Sequence, residues 1–304
     1  MTSRRPRGVI SRLSSRGGTE GTIVTASVSG EKLRVYAETV HTVSLRTIWL
    51  TALACIALAA HVVYGQCNTG TLEPTDEVHN APYDAEFTFC RLAYKTGPGG
   101  YYYYGLPAWA HGYPTAERSL MKILEGVTRV IKPRMDRTNV IAIGDPEMFR
   151  YPVAYMTEAG YMTLTDGEAL ALREYLLKGG FIIFDDFRNG RGNDGWGNFE
   201  RSMRRVMPEG RLVELDGADP IFHSFFEIPK PREFLSCYDR NAGGAQFWGM
   251  HEDNDASKRL MFVANFNNDI AQYWEWSDTG LTPIELSNEA YKFGVNYIMY
   301  GLTH

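Results

Sequence analysis

The stretch from Thr165 to Phe187 constrains the fold more than any other part of the chain. Thr165-Asp166-Gly167-Glu168 has the spacing of a capping box, in which the Thr165 hydroxyl accepts the Glu168 backbone N–H and the Glu168 carboxylate reaches back to the cap. A helix is expected to start there, and Leu170, Leu172, Tyr175, Leu176 and Leu177 give it a broad apolar face. Gly179-Gly180 permits a left-handed stop. Phe181-Ile182-Ile183-Phe184 then runs without polar alternation, the pattern of a strand covered on both faces. Asp185 and Asp186 stand at its carboxyl edge, where open α/β sheets collect their ligands.

The flanking sequence repeats the theme. From Glu86 onward strand and helix signals alternate, which argues for a mainly parallel sheet with crossover helices in one α/β domain over residues 86–304. Strands are expected at Glu86–Leu92, Val140–Ile143, Val153–Met156, Phe181–Phe184, Leu212–Leu215, Ala245–Met250 and Arg259–Phe266. Helices are expected from Pro114, from Thr165, from Asn198 or Phe199 to Val206, and over Leu286–Tyr300. Thr96–Gly112 reads as a long loop, and Arg188–Gly197 as a glycine-rich one.

The N-terminal part reads differently. Residues 1–44 are rich in Arg, Ser, Thr and Gly, and are expected to be disordered or an upstream extension from a misplaced start, with no fold. Over 45–65, Arg46 precedes the apolar run Thr47–Ala60, and Val63-Tyr64-Gly65 follows. That pattern matches an export signal cut after Gly65. A retained anchor is the competing reading, because Trp49–Val63 approaches the length needed to span a bilayer. Gln66 argues against lipidation of Cys67, since a small residue should precede a lipidated cysteine. Residues 66–85 are polar, broken by prolines, and read as a linker.

Of 304 residues, 44% are hydrophobic and 13% aromatic, enough for a sizeable core, and the formal net charge of -5 gives no global attraction to nucleic acid. The four cysteines lack zinc-type spacing. In an oxidising compartment Cys90 and Cys237 can bridge; two separately buried thiols are the alternative. No metal and no cofactor is expected.

Several ordered motifs carry a resemblance: Phe149-Arg150-Tyr151-Pro152, Met156-Thr157-Glu158-Ala159-Gly160, Leu176-Leu177-Lys178-Gly179-Gly180-Phe181, Asp185-Asp186 and Asp219-Pro220-Ile221-Phe222-His223-Ser224-Phe225. Together they resemble the bacterial domain-of-unknown-function family numbered 4159, over roughly residue 87 to the C-terminus. The resemblance implies a class I glutamine-amidotransferase-like fold: a flavodoxin-like, three-layer α/β/α sandwich with a mainly parallel central sheet, also used by trehalose-utilisation-type proteins. Some relatives are fused to membrane segments. Active amidotransferases carry a cysteine nucleophile at the elbow after the strand corresponding to Phe181–Phe184. Here that place holds Asp185, Asp186 and Phe187, and neither Cys90 nor Cys237 lies in an elbow pattern, so glutaminase activity is not expected.

The candidate catalytic residues are Asp185, Asp186, Glu158, His111 and His223, because a histidine beside carboxylates can exchange protons near neutral pH. Successive strand side chains alternate faces, so one acid is expected to face the crevice and the other to brace the following loop. Both can instead be structural, accepting backbone N–H groups or pairing with Arg188 or Arg191. His223 lies among phenylalanines and suits packing, whereas His111 lies in a polar loop. Trp109, Arg188, Arg191 and Trp196 are candidate ligand contacts, with tryptophan rings able to stack on sugars. Magnesium or calcium suits such oxygens, but no full ligand loop is visible. Two functions follow as expectations. One is a non-catalytic binding or assembly module of the cell envelope, exported or membrane-anchored through 47–63, with a protein or glycan partner. The other is a hydrolase-like enzyme acting on a carbohydrate or other polar substrate.

Overall fold

The computed structural model describes residues 20–29, 32–41 and 80–304, apart from 85, 103, 104, 130, 191 and 239–242. The chain divides into two units, Met1–Val62 and Val63–His304. In the first, Glu20–Ser29 (β1) and Lys32–His41 (β2) pair as an antiparallel ladder from Glu20 opposite His41 to Ser29 opposite Lys32. This differs from the expectation of no fold over 1–44. The polar composition conceals Thr22-Ile23-Val24-Thr25 and Val35-Tyr36, residue types that favour extended backbone. Residues 45–65, read as export signal or anchor, lie outside the described residues. Among those described, no helix is long and apolar enough to cross a membrane.

The second unit is built on a seven-stranded sheet. Its strands are Cys90–Ala93 (β3), Asn139–Ala142 (β4), Val153–Thr157 (β5), Phe181–Phe187 (β6), Val213–Glu214 (β7), Gln246–His251 (β8) and Leu260–Phe266 (β9). They lie in the order β7-β8-β9-β6-β5-β3-β4. Neighbours from β9 to β4 are parallel, and β7 and β8 add antiparallel at the edge. Numbered along the chain, the five parallel strands run 2-1-3-4-5, so the order reverses between β3 and β5. Crevices open at such a reversal, beyond the strands' carboxyl ends.

Among the described residues five α-helices accompany the sheet: Thr115–Val127 (α1), Asp166–Leu177 (α2), Gly195–Val206 (α3), Ala271–Glu275 (α4) and Ile284–Thr303 (α5). The apolar side chains form two cores. Leu120 and Leu124 of α1, Trp274 of α4, and Phe293 and Tyr297 of α5 pack with Tyr155, Phe181, Ile183 and Val263. Leu172 and Leu176 of α2, and Phe199 and Met203 of α3, pack with Met156, Ile182, Phe184 and Phe262. Strand β6 therefore feeds both cores alternately, which is why its sequence shows no polar alternation. Each of Phe181 to Phe184 is at most 2% exposed, and burying one such side chain contributes about 1.5–3 kcal/mol.

The capping box is formed: Thr165 Oγ1 accepts the Glu168 N–H at 3.2 Å, and Glu168 Oε2 accepts the Thr165 N–H at 2.6 Å. The two glycines that end α2 do different work. Gly179 adopts φ +103, whereas a Cβ on Gly180 would sit 2.4 Å from the Tyr175 ring. That ring is buried and tied by its hydroxyl to the Tyr151 carbonyl at 2.7 Å, so it has no easy retreat. Gly180→Ala is expected to lower stability by about 1–3 kcal/mol through overpacking. An unchanged thermal midpoint would contradict this.

Other boundaries shift for local reasons. β6 continues through both acids to Phe187. Helix α3 starts at Gly195, inside the stretch read as irregular, because Asp194 Oδ1 accepts the Gly197 N–H at 3.0 Å and caps it. Cys90 and Cys237 form no disulfide; Cys90 is buried.

Candidate functional site

A bulge separates the two acids of β6. Phe184 pairs with Ala264 and Phe187 with Phe266, so β6 spends one residue more than β9 between these pairs. Asp186 takes the left-handed conformation, φ +56. Bulges re-aim side chains in this way, and the strict alternation expected of a continuous strand does not hold here.

Asp185 points inward and is fully buried. Its Oδ1 accepts from Asn265 Nδ2 at 2.9 Å and Ile270 N at 3.3 Å; its Oδ2 accepts from Ala271 N at 3.0 Å and the Tyr155 hydroxyl at 3.1 Å. The acid thus braces the start of α4. Burial pushes its pKa up, against these four donors, all of which favour the ionised form.

Asp186 turns the other way, toward the strand-order reversal. Its Oδ2 lies 2.6 Å from His111 Nδ1 and 3.4 Å from Thr157 Oγ1, and its Oδ1 accepts the Tyr238 hydroxyl. His111 comes from the loop after β3. Glu158 follows β5, and its Oε1 lies 3.5 Å from the same Nδ1. Tyr94 fixes the Glu158 backbone by donating to the carbonyls of Glu158 at 2.8 Å and Thr157 at 3.0 Å. Glu158 (φ +54), Asp186 (φ +56) and Asn267 (φ +59) place a left-handed non-glycine residue at the ends of three neighbouring strands. Each such residue costs on the order of 1–3 kcal/mol, and these conformations concentrate at functional sites.

The charges in this cluster do not balance. Burial and the neighbouring Glu158 charge push Asp186 up to about 7, with His111 opposing them. Burial acts to lower His111, but the charge and hydrogen bond of Asp186, helped by Glu158 and Asp269, raise it well above the ordinary histidine range. Asp269, buried after β9 with Oδ1 on the Gln272 N–H at 2.9 Å, is raised well above a normal carboxyl by burial and by Asp186. His111, Asp186 and Asp269 are thus all shifted toward holding a proton. The carboxylate on Nδ1 assigns a proton to that nitrogen, and among the described residues Nε2 has no hydrogen-bond partner.

His223 is held locally, with Nε2 2.6 Å from the Gly217 carbonyl and Nδ1 2.5 Å from Glu227. Trp109 packs on the second core and Trp196 sits on α3 among Trp248, Phe266 and Phe199. Arg188 covers the Tyr238 ring at 3.9 Å and makes no ion pair with Asp185 or Asp186. Arg191 lies outside the described residues. Sequence reasoning missed Arg91, Tyr238 and Asp269. A charge inside Phe89-Cys90-Arg91-Leu92-Ala93 was a signal for the first, and the polar triplet Asn267-Asn268-Asp269 after a buried strand for the third; Tyr238 had none.

His111, Glu158 and Asp186 each offer one donor atom within 4.8 Å of the others, a nitrogen and oxygen set that suits zinc or manganese. Asp186 already engages both oxygens, with His111 and Tyr238, so direct hydrogen bonding accounts for the arrangement.

Fold and site together define a mixed α/β protein with a mostly parallel sheet and a histidine–carboxylate cluster where the strand order reverses. The chain belongs to the family described as domain of unknown function DUF4159, whose model matches residues 89–302. No curated protein matches it significantly.

Proposed function

We propose that the protein is a hydrolase-like enzyme acting on a carbohydrate or other polar substrate, with His111 as the proton carrier. The observation that carries this is the placement of His111 Nδ1 2.6 Å from Asp186 and 3.5 Å from Glu158 at the strand-order reversal. In this reading Asp186 orients the ring, and Nε2–H of the imidazolium gives its proton to the leaving group. The oxygen of a water that the more exposed Glu158 orients bonds to the substrate atom from which the leaving group departs, and the neutral ring takes that water's proton, restoring the imidazolium. Donor atoms of Glu158 and Asp186 within 4.8 Å are closer than the roughly 6.5–9.5 Å between carboxyls of an inverting glycosidase. The imidazole, not a second isolated acid, completes the cycle.

The strand order 2-1-3-4-5 and the two helix-covered cores support placing the fold with the three-layer, amidotransferase-like group. Aspartate in place of the elbow cysteine supports a chemistry other than glutaminase. We further propose an exported or envelope location, with attachment through residues 47–63 if that segment is retained.

The test is a panel of chromogenic glycosides, esters and amides. Hydrolysis by the wild type should fall about 10²-fold in His111→Gln, the lower end for losing a general acid–base. Undiminished activity in the variant, or hydrolysis of none by the wild type, overturns the enzyme reading. The second outcome favours an envelope binding module, which the engagement of both Asp186 oxygens also supports.

A further inference from the structure

We propose that Arg91 and Glu117 form a buried clamp that holds the His111 loop against Asp186, making them positioning residues for the imidazole. Its functional consequence rests on the reading of His111 as proton carrier; the clamp itself does not.

Arg91 lies in β3 with no exposure, and Glu117 in α1 is 1% exposed. Burying such a pair costs several kcal/mol per ion before their attraction offsets it, and apolar residues of similar volume often serve stability as well or better. Arg91 Nη2 and Glu117 Oε2 also lack partners among the described residues. Stability alone is a poor account of this pair.

Its geometry supplies another. Arg91 Nε pairs with Glu117, and Nη1 donates to the carbonyls of Trp109 and His111, both at 2.8 Å. The guanidinium rests over the Tyr155 ring at 5.0 Å and the Tyr113 ring at 5.7 Å. On its other side, the His111 N–H reaches the Ala108 carbonyl at 3.1 Å. Gly112 follows at φ +69, where a Cβ would lie 3.1 Å from Glu275 Oε2. The His111 backbone is therefore fixed at its N–H, at its carbonyl and by the turn beyond. Only the side-chain torsions remain to place Nδ1 on Asp186, and a shift of about 1 Å would break that hydrogen bond. Lysine, a point charge without a planar fork, cannot hold Glu117 and both carbonyls in this geometry.

The experiment reads the His111 ring nitrogens by NMR in the ¹⁵N-labelled full chain, with His111→Gln identifying the signal among the seven histidines. The groups facing His111 are Asp186 on β6, Glu158 after β5, Asp269 before α4 and Tyr102 in its own loop. None is altered by the variants. Arg91→Lys is expected to lower the proton affinity of His111 about tenfold or more, as one pKa unit or more. Glu117→Asp, which keeps both charges and shortens the anchor by one methylene, should give a smaller shift in the same direction, and decides alone if Arg91→Lys does not fold. A purely structural pair would lower the thermal midpoint and leave the His111 titration where it is in the wild type, which overturns the proposal. If the titration moves as expected while the wild type hydrolyses nothing, the clamp stands and the hydrolase reading falls.

Discussion

Asp185→Asn is expected to destabilise the protein by about 3–5 kcal/mol, because an amide nitrogen would face donors that a carboxylate accepts, and each unsatisfied buried donor costs about 1–3 kcal/mol. Ile270 N–H, Ala271 N–H, Asn265 Nδ2 and the Tyr155 hydroxyl all point at this one group, and asparagine offers only one oxygen. Its neighbour should behave in the opposite way. Asp186→Asn keeps an acceptor for the Tyr238 hydroxyl, removes a buried charge from beside Glu158 and lets a neutral His111 accept the amide N–H at Nδ1 by changing tautomer, so at pH 8 it is expected to be neutral or stabilising while hydrolysis is lost. Urea denaturation of the two variants under identical conditions checks both halves. Equal destabilisation by the two substitutions would show that the bulge does not divide a bracing acid from a reactive one.

The second large effect is a pH dependence of unusual sign. An aspartate whose folded pKa is lowered stabilises above its unfolded pKa; Asp186 is raised from 3.8 to about 7, so the folded state binds more protons between those values. Its contribution is present in acid and is lost as pH rises through about 7. His111, also raised, binds a proton in the folded state above its ordinary range and extends the loss in the same direction. Between pH 4 and pH 8 the wild type should therefore lose on the order of 2–4 kcal/mol relative to Asp186→Asn. Because the comparison is between two proteins differing at one site, ordinary carboxylates elsewhere cancel. A constant difference across that range would mean that the cluster holds no extra proton.

How far these features were legible in sequence follows from which of them are local. The capping box, the Gly179-Gly180 stop and the strand that feeds two cores are set by adjacent residues, and each appears where its spacing places it. That Asp185 and Asp186 diverge was legible as alternation, but the bulge that separates them depends on the register against β9. Helix α4 is five residues long, too short for an apolar period to show, and it is anchored by Asp185, 86 residues before its first residue. The partners of His111 come from residues 91 to 269, so no window of sequence contains the site. Arg91 announced itself only as a charge in an apolar strand, without saying what it would hold.

One chain of hydrogen bonds has a consequence for how the molecule comes to exist. Asp185 holds Asn265 Nδ2, and Asn265 Oδ1 accepts the hydroxyl of Tyr297 at 2.9 Å, within the helix that closes the chain. Asp185 sits well before them in the sequence, yet three of its four donors, Asn265, Ile270 and Ala271, come some eighty or more residues later. During synthesis, which proceeds from the N-terminus, β6 can emerge and pack its phenylalanines long before these partners leave the ribosome. The bracing of Asp185, next to the left-handed turn at Asp186, is then completed only when β9, α4 and α5 dock. A chain ending before Asn265 is therefore expected to carry His111, Glu158, Asp186 and Tyr238 without three of the donors that hold the neighbouring Asp185.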